Sequence, residues 1–376
     1  MARRTQDSTR SVLITGGAGF VGSNLAARLL CEGGAEVTVL DNLSRRGVRH
    51  NLEWLRSLPE SRRLTLIEAD VRDQSAITAA VSYADEIYHL AAQVAVTTAV
   101  RNPRDDFEVN ALGTFNVLEA ARASGRQSML LFTSTNKVYG GLCTVPVEPR
   151  ATRYCASDTS FEGATEETPL DFHSPYGCSK GAADQYVRDY ARIYQLPTVV
   201  FRMSCIAGPR QLGNEDQGWV AHFLYSALAG RSINIYGTGL QVRDVLHVED
   251  LIDAMQAARQ NLATTAGEVY NVGGGPTRAT SVLETLGEIQ RLTGKTCRLQ
   301  HFEERPGDQP LYVSNISKLT SDTGWQPQRS FAETLKDIQE FWLANRELIE
   351  NNFADSATAG MDVTAGVEEF VTEEVA

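Results

Sequence analysis

Thr15-Gly-Gly-Ala-Gly-Phe-Val-Gly22 constrains this chain more than any other stretch. It follows Ser-Val-Leu-Ile at residues 11–14, a short apolar run without alternation, which reads as a strand buried on both faces. An amphipathic run over residues 23–31 comes next. Gly16, Gly19 and Gly22 keep a spacing of three and three. A strand that enters a helix through such glycines makes a tight turn, brings backbone close to a pyrophosphate and aims helix-start amides at an anion. Phe20 and Val21 lie in that first turn. The second strand, residues 36–40, ends in Asp41, nineteen residues after Gly22. A carboxylate there binds both ribose hydroxyls and repels a 2′-phosphate, so the order predicts a dinucleotide site for NAD. Asn42 and Ser44 continue the same loop. Arg45 and Arg46 could hold a 2′-phosphate, but beside Asp41 they read as solvated loop charges.

The alternation continues. Residues 64–71 and 86–92 read as strands, 107–124 as a long helix and 129–133 as the next strand. Short strands alternating with helices predict an α/β chain with a Rossmann-type, doubly wound parallel sheet. Ligands of such sheets sit beyond the carboxyl ends of the strands. Asp70 and Val71, then Leu90, Ala91, Ala92 and Gln93, then Thr133 and Thr135 all fall at such ends and converge on one crevice. Asp70 suits an adenine amino group, and Leu90–Ala92 backbone lines the cofactor. His89 comes one residue early and reads as packed in the sheet. Asn110 lies on the helix facing this region, placed to hold loop backbone.

Tyr176-Gly-Cys-Ser-Lys180 supplies the chemistry. Four residues is about one helical turn, so the phenol and the ammonium share a face. Pro175 suits a first helical position and Ser174 an N-cap. The helix start and Lys180 both favour a phenolate, so the Tyr176 pKa is expected to fall, giving a general base for an alcohol. From about residue 205 the pattern loosens into a smaller C-terminal α/β lobe. Helices are expected near residues 219–229, 248–261, 281–293 and 330–347, and a strand at 233–236. Arg202, Arg210, Arg243 and Arg305 are scattered among its loops and form the donor pool a nucleotide diphosphate requires. The division expected is 1–204 for the NAD-binding domain with an insert at 141–174, 205–350 mainly for the substrate lobe with some segments returning, and 351–376 for a tail.

Composition narrows the class. The net charge is −12, and no basic stripe appears, which argues against nucleic acid as a partner. Half of that charge is in Asp355, Asp362, Glu368, Glu369, Glu373 and Glu374, so the tail reads as disordered and acidic. No apolar run reaches the roughly 20 residues that cross a bilayer. No membrane partner is expected, and no h-region marks a signal peptide. The six Cys show neither CxxC nor ligand spacing, so no metal is expected and the thiols read as reduced, in a cytoplasmic protein.

Four phrases, TGGAGFVG, STNKVYG, YGCSK and QVRDVLHVEDL, together resemble the extended short-chain dehydrogenase/reductase superfamily of nucleotide-sugar epimerases and dehydratases. Within it, DFHSPYGCSKGAADQY and DQGWV resemble the 2-epimerases of the CDP-tyvelose (CDP-paratose) type, as does the long insert. The likeness covers about residues 11–345. It implies Thr135, Tyr176 and Lys180 as catalytic residues, with Lys180 also holding the nicotinamide ribose. It implies a substrate site drawn from Gln93, Thr135, Asn136, Lys137, Cys205, Arg210, Gln217, Trp219, Tyr236, Arg243, Arg305 and Asp308. The 4-epimerases carry Asn at the position of Cys205. Dehydratases of the superfamily follow the Thr with an Asp-Glu pair that expels water; Asn136-Lys137 stands here, which disfavours dehydration. The expected reaction is 2-epimerisation of a nucleotide-diphosphate sugar, foremost a CDP-hexose, by transient oxidation. Alternatives are 4-epimerisation, another NAD-dependent sugar oxidoreduction, or an NAD-binding regulator without chemistry. A homo-oligomer, dimer or tetramer, is expected.

Overall fold

The computed structural model describes residues 9–305 and 307–351, so the acidic tail lies, after Asn351, outside the described residues. Seven parallel strands form the main sheet, in spatial order Val269–Val272, Thr198–Met203, Met129–Thr135, Glu86–His89, Arg10–Thr15, Ala35–Asp41 and Leu64–Glu68. Alternate residues of each central strand face opposite layers of helices. Val12 and Ile14 enter the core beneath Phe20–Glu32 and Val248–Gln260, while Leu13 enters the core with Ile77, Val117 and Val187. Both faces are covered, which is why these strands read as unbroken apolar runs.

Strand order reverses between Arg10–Thr15 and Glu86–His89, whose partners lie on opposite sides. The crevice of a doubly wound sheet opens at such a point. The strand over 64–71 stops at Glu68 and that over 86–92 stops at His89, so Asp70, Val71 and Leu90–Gln93 leave the sheet as crest loops. The helix expected over 107–124 begins earlier, at Pro103–Phe107, passes through a π turn at Glu108–Leu112 and continues as Gly113–Ala123. A π turn widens the helix by one residue, and Asn110 sits at its centre.

The smaller lobe is built around Trp219–Leu228, the parallel pair Ser232–Tyr236 and Arg298–Phe302, and a short sheet in which Val242–His247 meets Ala279–Ser281, Leu311–Tyr312 and Cys205–Ala207. Leu224, Tyr225, Ile233, Ile235, Ile289 and Ile338 form its core. Ser281 and Ser330 cap the helices Val282–Thr293 and Phe331–Ala344, each in a reciprocal box with Glu284 or Glu333. The strand Val269–Val272 returns to the edge of the main sheet. The insert makes a hairpin, Val147–Pro149 with Tyr154–Ala156, that docks on the smaller lobe: Tyr154 N donates to Leu240 O at 2.8 Å and Arg153 pairs with Glu284.

A buried ion pair joins these parts. Arg202 grips Asp184 with two bonds of 2.9 Å, both side chains being at most 2% exposed. Its third arm reaches Tyr139 Oη at 3.0 Å, and that hydroxyl donates to Asn271 Oδ1 at 2.7 Å. Arg202 therefore leaves the diphosphate donor pool, because its guanidinium is spent inside the protein.

Candidate active site

The glycine loop fits a dinucleotide by sterics. Gly16 has φ of 68° and a Cβ there would lie 2.7 Å from Ala91 N; a Cβ on Gly22 would lie 2.4 Å from Gly16 O. The loop thus presses on Leu90–Ala91 across the crevice. The first intrahelical bond is made by Ser23 N to Gly19 O, so the amides of Phe20, Val21 and Gly22 precede it at the helix start. Asp41 ends its strand facing this loop and accepts from Ala18 N at 3.1 Å and Leu43 N at 2.9 Å. Burial raises its pKa while those two amides oppose the shift. Its position suits a ribose diol and repels a further phosphate. At the rim, Asn42 Nδ2 donates to Asp70 Oδ2 at 2.8 Å, Asn42 Oδ1 accepts from Ser44, and Arg72 pairs with Asp70. Arg72 holds the Asp70 carboxyl down at about 2. Val71 packs beneath them against Gly113.

Tyr176 and Lys180 lie on the helix Ser174–Tyr194, both buried. Ser174 has φ of 63° and accepts from Gly177 N at 3.2 Å, so by its hydrogen bond it serves as the N-cap. The phenol neighbours the Thr135 hydroxyl, which lowers its pKa and whose Oγ1 accepts from Lys137 N at 3.3 Å. Lys180 Nζ donates to Thr133 O at 2.6 Å and lies 4.1 Å over the Phe132 ring. Tyr176 and Lys180, paired by their spacing, and Thr135, implied by the resemblance, are thus brought together where the strand Met129–Thr135 ends beside the helix Ser174–Tyr194. The direction expected for Tyr176 is overturned. Burial pushes the phenol up to about 12, against the effect of the Thr135 hydroxyl. Burial also pushes Lys180 down to about 7, opposed by Asp184 and Asp106. Lys180 lies one turn away as the sequence suggests, but desolvation outweighs the opposing Thr135 hydroxyl, and Asp106 adds to the rise. His89 is fully buried between Thr15 and Thr114, at 2.6 and 3.0 Å, and packs in the sheet.

Behind this group lies a polar knot. Asn110 donates to Gln93 O at 3.0 Å and accepts from Gln93 N at 2.9 Å, fixing the crest loop. The Gln93 amide binds the Ala95 backbone and Asp106, so its side chain is structural, which removes it from the substrate contacts. Asp106 and Ser179 complete the knot and were not singled out in the sequence; the one-turn interval from Asp106 to Asn110 was the available signal.

The expected substrate residues divide. Asn136 sits beside Thr135 and donates to Gln309 Oε1 at 3.5 Å. Lys137 reaches Gly307 O and Asp308, and Asp308 in turn binds Arg243 Nη2 at 2.6 Å. Burial, then the neighbouring Arg243, pushes Lys137 down to about 8. Cys205 accepts from Trp219 Nε1 at 3.4 Å and feels the charges of Arg243 and Lys137. Arg305 lies 3.9 Å over the Tyr236 ring, with Glu215 and Asp216 beside it. Gln217 accepts from Arg45, in the loop that follows Ala35–Asp41. Arg210 is drawn elsewhere, 3.3 Å over Trp54 and 5.5 Å from Phe341, and is not joined to the Arg243–Asp308 cluster.

This arrangement can bind a dinucleotide through the glycine loop, place a phenol and a hydroxyl on one alcohol, and present cations from the smaller lobe. A family model described as GDP-mannose 4,6 dehydratase matches residues 13–338. The chain is 41% identical over 337 residues to CDP-paratose 2-epimerase of Salmonella typhi, across 88% of this chain and 98% of that protein. It is 32% identical over 356 residues to dTDP-glucose 4,6-dehydratase of Escherichia coli, across 89% and 94%. The structure of UDP-glucose 4-epimerase of Thermus thermophilus in complex with NAD matches with a TM-score of 0.73 at 32% identity, across 88% and 98%. No helix among the described residues is long and apolar enough to cross a membrane.

Proposed function

The chain belongs to this family of NAD-dependent nucleotide-sugar epimerases and dehydratases, and from that membership we propose that it inverts C2 of a CDP-linked hexose of the paratose type. It is an enzyme of the epimerase class, and NAD is its cofactor. The observation that carries the C2 assignment is the 41% identity to CDP-paratose 2-epimerase over 98% of that protein's length.

NAD supplies a reversible hydride acceptor when bound, and the protein supplies position and charge. The first-turn amides of Phe20, Val21 and Gly22 hold its pyrophosphate, Asp41 the adenosine ribose, Leu90–Ala92 its flank and Lys180 the nicotinamide ribose. Tyr176 accepts the proton of the sugar C2 hydroxyl. Thr135 donates a hydrogen bond to the oxygen as it becomes a ketone. Inversion then requires the 2-keto sugar to present its other face, and Tyr176 returns the proton to the reduced carbon's oxygen. Arg243, Arg305 and Lys137 anchor the diphosphate while the hexose turns; guanidinium geometry suits that anion. Asp308 pairs with Arg243 and Lys137, and Glu215 and Asp216 pair with Arg305. Asn136-Lys137 offers no carboxylic acid to expel a hydroxyl, which supports epimerisation over dehydration.

Two outcomes are expected. Denatured protein releases NAD(H), because Asp41 disfavours a 2′-phosphate; NADP(H) as the main species removes that role from Asp41. Incubation in deuterated water with CDP-paratose, CDP-glucose, GDP-glucose and UDP-glucose gives inverted C2 with CDP-paratose, C4 unchanged and no deuterium at C2. Deuterium at C2 shows oxidation at C3 followed by enolisation. Inversion at C4 with UDP-glucose assigns the chain to the 4-epimerases instead.

A further inference from the structure

The reaction described above uses Thr135, Tyr176 and Lys180, yet a buried carboxylate stands behind them without a role. Asp106 lies on the short helix Pro103–Phe107 and is 1% exposed. Its Oδ1 accepts from Gln93 Nε2 at 2.9 Å and from Asn110 Nδ2 at 3.1 Å. Its Oδ2 accepts from Ser179 Oγ at 2.5 Å. These donors belong to three separate segments: the crest loop after Glu86–His89, the π turn and the helix of Tyr176 and Lys180. Ser179 is the residue next to Lys180. Three donors converging on two oxygens suit an ionised carboxylate, which only accepts. All three donors are neutral, so the charge is solvated but not cancelled at hydrogen-bond distance.

That charge acts forward. The Asp106 carboxylate bears on Lys180 and on Tyr176; burial raises its own pKa, while the Ser179 and Gln93 hydrogen bonds and the Lys180 ammonium oppose that rise and favour the charged form. The other groups around the pair are accounted for. Asp184, on the same helix as Lys180, is engaged by Arg202 from the neighbouring strand. His89, from the strand behind, is held uncharged by burial and by Lys180. The strand Met129–Thr135 contributes the Thr133 carbonyl, the Phe132 ring and the Thr135 hydroxyl, all neutral. Asp106 is therefore a buried anion facing the pair without an arginine of its own.

We propose that Asp106 is a positioning residue for the reaction: its carboxylate clasps Gln93, Asn110 and Ser179 into one unit and sets the electrostatic field in which Tyr176 and Lys180 exchange their protons. This rests on the roles given above to Tyr176 and Lys180. The sign is definite. A negative charge disfavours loss of a proton from both the phenol and the ammonium, so removing it lets both protons leave at lower pH.

The test compares Asp106→Asn, Asp106→Glu and Ser179→Ala in the full chain, with CDP-paratose as substrate, following kcat against pH. Melting temperature and extracted NAD content report the fold and cofactor retention. In D106N the pH profile moves toward acid by roughly 1–3 units, the range for a close buried charge. In D106E and S179A the charge remains, so turnover falls but the profile stays in place. A D106N profile superimposable on that of the parent overturns the proposal. So does acid displacement in D106E, which is decisive even where D106N fails to fold. Activity surviving Tyr176→Phe is a different failure: it removes the assignment of the base and leaves no pair for Asp106 to act upon.

Discussion

Replacing Tyr176 by Phe lowers turnover by roughly 10²–10⁴-fold, the range for loss of a general base, with NAD content unchanged. The substitution deletes one oxygen from a side chain that is 9% exposed, so the ring keeps its packing. What is lost is the hydroxyl that neighbours Thr135, with Lys180 a turn away on the same helix face. The loss falls on kcat rather than on substrate affinity, because the cations proposed to hold the diphosphate belong to the smaller lobe and to Lys137. Turnover of CDP-paratose and a separate binding titration check this. Turnover within a few-fold of the parent, with substrate still bound, takes the base away from Tyr176.

What the chain discloses in advance follows the range of the interactions. The glycine loop is local: strand, turn and helix lie within thirty residues, and the clash a Cβ would make at Gly22 is with Gly16 itself. Tyr176 and Lys180 are local too, since one helical turn determines their common face. Burial is not local. Nothing in the order Tyr-Gly-Cys-Ser-Lys shows that desolvation pushes the phenol to about 12 and the ammonium to about 7. The protein alone therefore opposes the zwitterion that the helix start and Lys180 favour, and the positive nicotinamide of NAD⁺ is the further charge that acts in the phenolate's favour when bound.

Side chains whose partners lie far along the chain escape a local reading for the same reason. Gln93 stands at a strand end and reads as a ligand contact, but Asp106 and Ala95 consume its amide. Arg210 is one of the Arg scattered among the loops and reads as a member of the phosphate-donor pool, but Trp54 draws its guanidinium away. The helices of the smaller lobe were legible because their caps are short-range: Ser281 with Glu284 and Ser330 with Glu333 span three residues each. The strand Arg298–Phe302 is exposed along its length and carries no apolar alternation, so only its pairing with Ser232–Tyr236 identifies it.

Replacing Asp184 by Ala is expected to destabilise the protein by about 3–5 kcal/mol, the cost of leaving a buried ion without its partner. Arg202 is 2% exposed and its bonds to Asp184 are both 2.9 Å, so the guanidinium cannot turn to water without opening the sheet. The remaining contact, Tyr139 Oη, is a neutral oxygen already donating to Asn271. Asp184 is also the foremost charge favouring the Lys180 ammonium, so the variant loses activity even in whatever fraction stays folded. The melting temperature, with NAD content measured alongside, checks the first effect. Arg202→Leu paired with Asp184→Leu separates the two. Removing both charges leaves no orphan, so the melting temperature recovers a substantial part of the loss, while Lys180 still lacks its carboxylate and turnover stays low. If the single Asp184→Ala variant melts like the parent and only substrate affinity falls, Arg202 returns to the pool of diphosphate donors from which its burial removes it.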